Sequence, residues 1–340
     1  MKQIDQFITE YIVKKKLDKP IDSEDHYDYF PETTDELIKV IRMLLDKGKT
    51  NFNCIDTSNI IDMSGLFIYN IFNDLVFDVS GWDVSNVTNM KSMFSGCIKF
   101  NCDLSNWNVS NVEDMSNMFY NCEKFEGEGL ENWNVSKVKD ISNMFYNCGA
   151  FNCDLSKWDV SNVKSMYCLF DNCIKFKGEG LENWDVSNVV NMVGTFYKCK
   201  KLDCDLSKWN VSNVENMNYM FKECGIFDCD LSNWNVSKVK YMQHMFYHCT
   251  NFKGNGIENW NVSNVTNMDS IFEDCANFDC DLSNWDVSNV INAERMFSDC
   301  INFTGKGLEN WNMSKLRNKD KIFLRCKLLR KKPTWYKIKL

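Results

Sequence analysis

The 340-residue chain has a formal net charge of −8, but residues 315–340 hold eleven Lys or Arg and one acid. The preceding 314 residues, with 28 basic and 46 acidic side chains, therefore stand at −18. An acidic body is a poor nucleic-acid binder because neutralising phosphates needs a basic surface. Seventeen cysteines are too dilute for a small disulfide scaffold. We expect no nucleic-acid partner, and thiols kept reduced in the cytoplasm.

The first 50 residues do not repeat and predict a helical N-terminal cap. One helical face is marked by Ile4, Phe7, Ile8, Tyr11 and Ile12, which predicts an amphipathic helix over Lys2–Lys15. This segment lacks the charged-then-apolar order of a secretory leader, and no apolar run is long enough to span a bilayer. Both features favour cytoplasmic residence.

A second helix is predicted just before the repeats. Thr33 and Glu36 form a capping box, and Gly48 is a stop signal. Between them lies an apolar stripe of Leu37, Val40, Ile41, Leu44 and Leu45. Two helices ahead of a repeat array are most simply a cap over its open end.

The rest of the chain repeats every 25 or 26 residues. A degenerate copy starts at Ile55, and about eleven coils follow over residues 51–314, with the last coil and a basic C-terminal cap at 315–340. Such a period indicates a solenoid rather than two globules. Tryptophans mark the copies at positions 82, 107, 133, 158, 184, 209, 234, 260, 285 and 311, and cysteines at 97, 122, 148, 173, 199, 224, 249, 275, 300 and 326.

Within one coil the pattern predicts a short strand and a short helix. The strand is indicated by Cys102, Leu104, Trp107 and Val109. A helical stripe with Ser110 as its N-cap is indicated by Val112, Met115, Met118, Phe119 and Cys122. We therefore predict an α/β solenoid of leucine-rich-repeat-like coils with a parallel sheet, in which each tryptophan is covered by the tryptophan of the neighbouring coil.

The fragment "WDVSNVTNMKSMFSGCIKFNCDLSNW" resembles the 26-residue bacterial surface protein repeat, related to the BspA-like leucine-rich repeats. The similarity covers about Pro31 to Cys326. It implies a solenoid used for protein–protein contact or adhesion, with no catalytic residues to carry over. From it we predict a non-enzymatic scaffold for a protein partner. We also expect the chain to be a monomer. An adhesin on a cell or viral particle is one alternative, and a regulator that docks through its basic C-terminal tail is another.

Two sets of cysteines are candidate sites. The column from Cys97 to Cys326 lies on the apolar face and predicts buried, inert thiols. A partial column is set five residues before a tryptophan at Cys102, Cys153, Cys204, Cys229 and Cys280. Positions of this kind hold Glu or Lys in other coils, which predicts partial exposure. Cys204 and Cys229 lie in consecutive coils and form a candidate redox pair.

Two histidines, His244 and His248, have the i, i+4 spacing of helical zinc pairs. One interpretation is a zinc site in which Glu223 is a third ligand. The favoured interpretation is an exposed polar face with no metal. A third interpretation is a partner-contact patch, because aromatic residues are enriched at binding hot spots. That patch comprises Tyr219, Tyr241, His244, Tyr247 and His248. We expect no metal and no cofactor.

The basic end has two interpretations. Tyr336, Ile338 and Leu340 alternate with lysines, which predicts an edge strand that closes the array. The alternative is an electrostatic anchor for a polyanion or an acidic membrane surface.

Overall fold

A computed structural model describes residues 27–68 and 70–337. Helix α1 spans Thr34–Asp46, and the capping box is confirmed because the Thr33 hydroxyl accepts the Glu36 N–H. The Glu36 carboxylate accepts the N–H of Glu32. The predicted C-terminal stop of the helix is also confirmed. The helix ends at Asp46, two residues before Gly48, and Gly48 has left-handed backbone with a φ of +69°. The helix predicted over Lys2–Lys15 lies outside the described residues.

The repeats form a stack in which isolated parallel bridges link neighbouring coils, with two more bridges at its start, Tyr29 to Ile55 and Asn51 to Asp78. From Asp62 onward each bridging residue pairs with its equivalent in the next coil, and no longer strand forms in the described residues. The predicted sheet of short parallel strands is therefore wrong, as is the α/β assignment. The bridges run without a break through Asp62, Asn89, Asp114, Asp140, Ser165, Asn191, Asn216, Tyr241, Asn267, Asn292 and Asn318.

The helix predicted in each coil is also wrong, because two positions four residues apart have left-handed backbone. An α-helix needs φ near −63° at every residue, whereas Asn117 and Asn121 have φ of +57° and +60°. Ser110 does not cap a helix; its N–H donates to the Asn108 side chain in a turn. The first left-handed column is Gly65, Ser92, Asn117, Asn143, Cys168, Gly194, Tyr219, His244, Ser270, Arg295 and Lys321, and the second is Gly96, Asn121, Asn147, Asn172, Lys198, Glu223, His248, Asp274, Asp299 and Arg325.

From the bridging residue to the second left-handed residue of each coil, successive backbone N–H groups alternate between two kinds of acceptor. The N–H of Phe119 donates to Met144 in the next coil, and the following N–H, of Tyr120, donates to Asn117 in its own coil. We call the run from the bridging residue to the second left-handed residue the ladder edge; Asp114–Asn121 is one example. Along it the turns, rather than strands, join neighbouring coils.

The interior consists of columns of equivalent side chains stacked from coil to coil. The predicted stacking of tryptophans from neighbouring coils is confirmed. Trp184 and Trp234 lie on either side of Trp209, each at 6.5 Å between ring centroids and within 3° of parallel. Each indole N–H donates to a carbonyl of the preceding coil, as Trp209 Nε1 does to Leu181 at 2.8 Å. Each cysteine of the main column donates its thiol in the same way, as Cys122 does to Phe94. The buried apolar face is thus the predicted one, although it is not built by a helix.

Short 3₁₀ helices fill some of the connections between coils. In the described residues they span Asn70–Phe72, Leu130–Asn132, Leu181–Asn183, Leu308–Asn310 and Thr334–Lys337. The last of these contains Tyr336, so the edge strand predicted there is wrong at that residue; Ile338 and Leu340 lie outside the described part. Trp335 stacks on Trp311 at 6.1 Å and extends the tryptophan column.

Among the described residues, no helix has the length and apolar character needed to cross a membrane.

Candidate functional site

The predicted aromatic patch lies on the ladder edge. The ladder-edge run of its main coil is Tyr241–His248, and the structure brings four of the five predicted residues into contact through their rings. Tyr219, from the preceding coil, stacks on His244 at 5.0 Å and 9°. Tyr247 meets His244 edge-on at 5.8 Å and His248 at 4.5 Å. The fifth residue, Tyr241, is 44% exposed and belongs to the same coil. We call these five residues the Tyr/His patch.

Tyr241 breaks the local rule of its column. In other coils an Asn, Asp or Ser stands at the bridge and its side chain accepts the N–H two residues on, as Asn216 does from Asn218. Tyrosine cannot make this turn, and the N–H of Gln243 donates instead to the Asn218 side chain at 2.8 Å. A large exposed ring therefore occupies a position where a small polar residue would be locally favoured.

A lysine that the sequence analysis did not single out completes the patch. Lys222 Nζ lies 4.8 Å from the Tyr247 ring centroid, 5.6 Å from that of Tyr219 and 5.1 Å from that of Tyr197. With His248 and Glu223 it borders a surface depression of about 490 Å³. Cations over tyrosine faces hold both groups in place. The sequence does contain an indication of this contact, because Lys222 occupies the repeat position that holds tyrosine in other coils. Those tyrosines are Tyr120, Tyr146, Tyr197 and Tyr247.

The two histidines are in different electrostatic settings. Burial lowers the pKa of His244, against the opposing charge of Asp269, whose carboxylate lies 3.9 Å from Nε2. Its Nδ1 is buried and has no hydrogen-bond partner in the described residues. His248 is more open, and its Nδ1 lies 2.5 Å from the Asp274 carboxylate. Near neutral pH His244 is therefore an uncharged ring within a stack.

The helical zinc pair is not formed. His244 and His248 both have left-handed backbone, with φ of +53° and +58°, and do not lie on a helix. Across the described residues, no group of three or more His, Cys, Asp or Glu side chains is placed to hold a metal ion.

The two columns of thiols differ less in exposure than the sequence predicts. The main column is buried apart from the half-buried Cys326, and burial raises the pKa of Cys97 to about 12. In the partial column Cys102, Cys153 and Cys280 are buried, so their predicted exposure is wrong. Cys204 and Cys229 are half-buried and unbonded. Burial raises the pKa of Cys229 to about 11, which disfavours the reactive thiolate. The redox pair stays a prediction.

A buried carboxylate, Asp171, was missed by the sequence analysis. It occupies the tyrosine column between Tyr146 and Tyr197 and is 6% exposed. Burial raises its pKa to about 7, although the Cys168 thiol and the charge of Lys198 act in the opposite direction. In the sequence, the signal was an acid in a column otherwise rich in tyrosine.

Replacing Asp171 with Asn should stabilise the protein more at pH 8 than at pH 5. The folded state favours the protonated acid, whereas the unfolded chain ionises near pH 3.8. The contribution of Asp171 to wild-type stability therefore falls as pH rises from about 4 to 7, and the amide escapes this loss. The gain of Asp171→Asn should be about 2–3 kcal/mol larger at pH 8 than at pH 5, measured by urea unfolding.

Asp185→Asn is the matched control for this measurement. Asp185 is exposed, and hydrogen bonds from Ser187 lower its pKa. It stays ionised from pH 5 to 8, so its substitution should have the same effect at both. A gain for Asp171→Asn that did not change with pH would contradict the prediction.

Models of the family described as "Mycoplasma protein of unknown function, DUF285" match residues 39–152, 122–230, 166–256 and 227–336. The chain belongs to the DUF285 family. Because the matches jointly span residues 39–336, the DUF285 sequence pattern covers nearly all the coils described above. This makes the chain a repeat protein and gives it no assigned activity.

Two further comparisons add little to the DUF285 match. No curated protein matches the chain. Among solved structures, a chain in "Crystal structure of TLR13-ssRNA13 complex" matches with a TM-score of 0.28 and 12% identity, over 85% of this chain and 45% of that one. The present chain thus spans less than half of that neighbour's length. A similarity of this size supports no inference about the fold or the ligand.

Proposed function

We propose that the chain is a non-enzymatic scaffold that binds a partner protein through the Tyr/His patch. The observation that carries this proposal is Tyr241, an exposed ring placed where its column otherwise holds small polar residues that complete the local turn. A residue that departs from the local rule without a stabilising gain is expected at functional sites.

The chemistry of the patch supports a protein partner. Tyrosine rings offer a large contact area with few rotatable bonds, and such residues dominate binding hot spots. Here the rings are also held in advance, since Tyr219 stacks on His244 and Lys222 lies over Tyr247. Preorganised side chains lose less conformational entropy when a partner binds. The resemblance to BspA-like surface repeats supports the same class of function, and cytoplasmic residence and the monomeric state remain part of the proposal.

A photo-crosslinking amino acid at position 241 tests the proposal, with position 267 as the matched control. Asn267 lies in the following coil and forms the parallel bridge with Tyr241. It is therefore on the same ladder edge but outside the patch. We expect one protein from the source cells to crosslink at 241, and the yield to fall about tenfold when Tyr247 is also replaced with Ala. Equal labelling at 241 and 267, or labelling that survives Tyr247→Ala, would reject the patch.

A further inference from the structure

The ladder edge has a direction. In the last pair of coils, the N–H groups of Arg295, Phe297 and Asp299 donate to the carbonyls of Asp320, Ile322 and Leu324 at 2.7–3.0 Å. Along the whole stack, three or four N–H groups of each coil point to the coil that follows it. The final coil therefore presents donors to whatever lies beyond it.

Three of those terminal donors have no acceptor in the described part of the chain. They are the backbone N–H groups of Lys321, Phe323 and Arg325, the equivalents of the three donors above. Lys321 and Arg325 keep the left-handed backbone of their columns, with φ of +56° and +58°, so the coil presents its N–H groups as the internal coils do. Unpaired backbone donors are costly unless water or a partner satisfies them.

The end of the chain covers the core of this last coil. Trp335 continues the tryptophan column, and the Tyr336 ring meets Phe323 at 5.3 Å. Neither residue supplies an acceptor to the three donors. Within residues 27–68 and 70–337 the aromatic columns are thus closed, whereas the three donors beside them have no acceptor.

The surroundings of the edge are basic and partly apolar. Lys321 and Arg325 are exposed, and their ion pairs with Asp320 and Asp299 are at the surface, where such pairs contribute little and exchange readily. Leu324 and Leu328 are exposed beside them. The nearby positive charges on the same segment are Lys319, Lys327, Arg330, Lys331 and Lys332.

We propose that this terminal edge, Lys321–Arg325, binds an extended acidic segment of a partner protein. Inside the stack the equivalent donors bond to carbonyls on alternate residues of the next coil. A peptide segment that offers carbonyls on alternate residues would take the place of that coil, which is how peptides add to an open edge. Acidic side chains of the segment pair with the lysines and arginines, and its apolar side chains contact Leu324 and Leu328. A phosphate backbone also offers acceptors to these charges and donors, but it has no apolar groups to cover the exposed Leu324 and Leu328. The edge is separate from the Tyr/His patch, and the two proposals fail independently.

Amide hydrogen exchange on the full chain tests the edge directly, using a ten-residue peptide of alternating Glu and Val as the probe. We expect the amides of Lys321, Phe323 and Arg325 to exchange quickly without the peptide and at least about tenfold more slowly with it. The double variant Lys321→Glu/Arg325→Glu should weaken peptide binding about tenfold or more, measured by fluorescence anisotropy.

Lys124→Glu/Lys175→Glu is the matched control, since it makes the same change of charge at exposed lysines in the body of the stack and should bind as the wild type does. Three results would overturn the proposal. The three amides could be protected before the peptide is added, which would mean that residues 338–340 or a second copy occupy the edge. Both double variants could weaken binding equally. Vesicles of anionic lipid or a polyphosphate could bind as tightly as the peptide.

Discussion

Replacing Trp209 with Ala should lower the free energy of unfolding by roughly 3–5 kcal/mol. The ring is 1% exposed and lies between two parallel indoles, so its loss leaves a cavity with stacking partners on both sides. The Leu181 carbonyl also loses its donor, and an unpaired buried acceptor adds to the cost. Urea unfolding followed by tryptophan fluorescence measures the change.

Trp335→Ala is the control at the end of the same column. That ring is 9% exposed and stacks on one tryptophan, so its removal should cost clearly less. Since each coil is held mainly by its two neighbours, amide exchange in Trp209→Ala should rise in the coils on either side and little elsewhere. Equal losses for the two variants would contradict the stacked-column account.

Replacing Gly129 with Ala should destabilise the protein by more than about 3 kcal/mol. An added Cβ would lie 2.1 Å from the Ser105 N and 2.6 Å from the Leu104 carbonyl carbon, both rigid backbone atoms of the preceding coil. The φ of Gly129 is also +89°, which side-chain-bearing residues rarely adopt. The two coils must therefore separate, and thermal unfolding should show a large drop in midpoint.

Gly149→Ala provides the comparison. Its Cβ would meet nothing nearer than 3.8 Å, and its φ is not in the left-handed range. The same change there should be neutral or stabilise by about 0.4–1 kcal/mol, by restricting the unfolded chain. If both glycines tolerated alanine, the close contact between Gly129 and the backbone of the preceding coil would be contradicted.

The repeat, its buried columns and the cap of α1 could be predicted because each depends on spacing alone. A period of 25 or 26 residues fixes which rings meet, and Thr33 with Glu36 marks a helix start through local hydrogen bonds. The secondary structure inside a coil could not be predicted in this way. Offsets such as those of Val112, Met115 and Phe119 fit one face of a helix, but a chain of tight turns can bury the same positions.

The missed signal was the composition of the left-handed columns. From Ser92 to Arg325 these columns contain Gly, Asn, Asp and other residues that are not branched at Cβ. They contain no Val, Ile or Thr in the described coils. β-branched side chains are strongly disfavoured at positive φ, so two such columns per coil argue against a helix there. The patch was found from residue types, whereas Lys222 and Asp171 needed the register of the columns to place them beside the tyrosines.

The glycine-containing connectors explain how the stack tolerates two coil lengths. The 26-residue spacings end in "GEGLENW", "GNGIENW" or "GKGLENW", and both glycines of each have left-handed backbone. The additional residue is absorbed in this bend, away from the hydrogen-bonded run. Recombination between near-identical copies could therefore lengthen or shorten the molecule by a whole unit while the remaining interfaces stayed matched. A single-residue insertion within Asp114–Asn121 would instead put both columns out of phase.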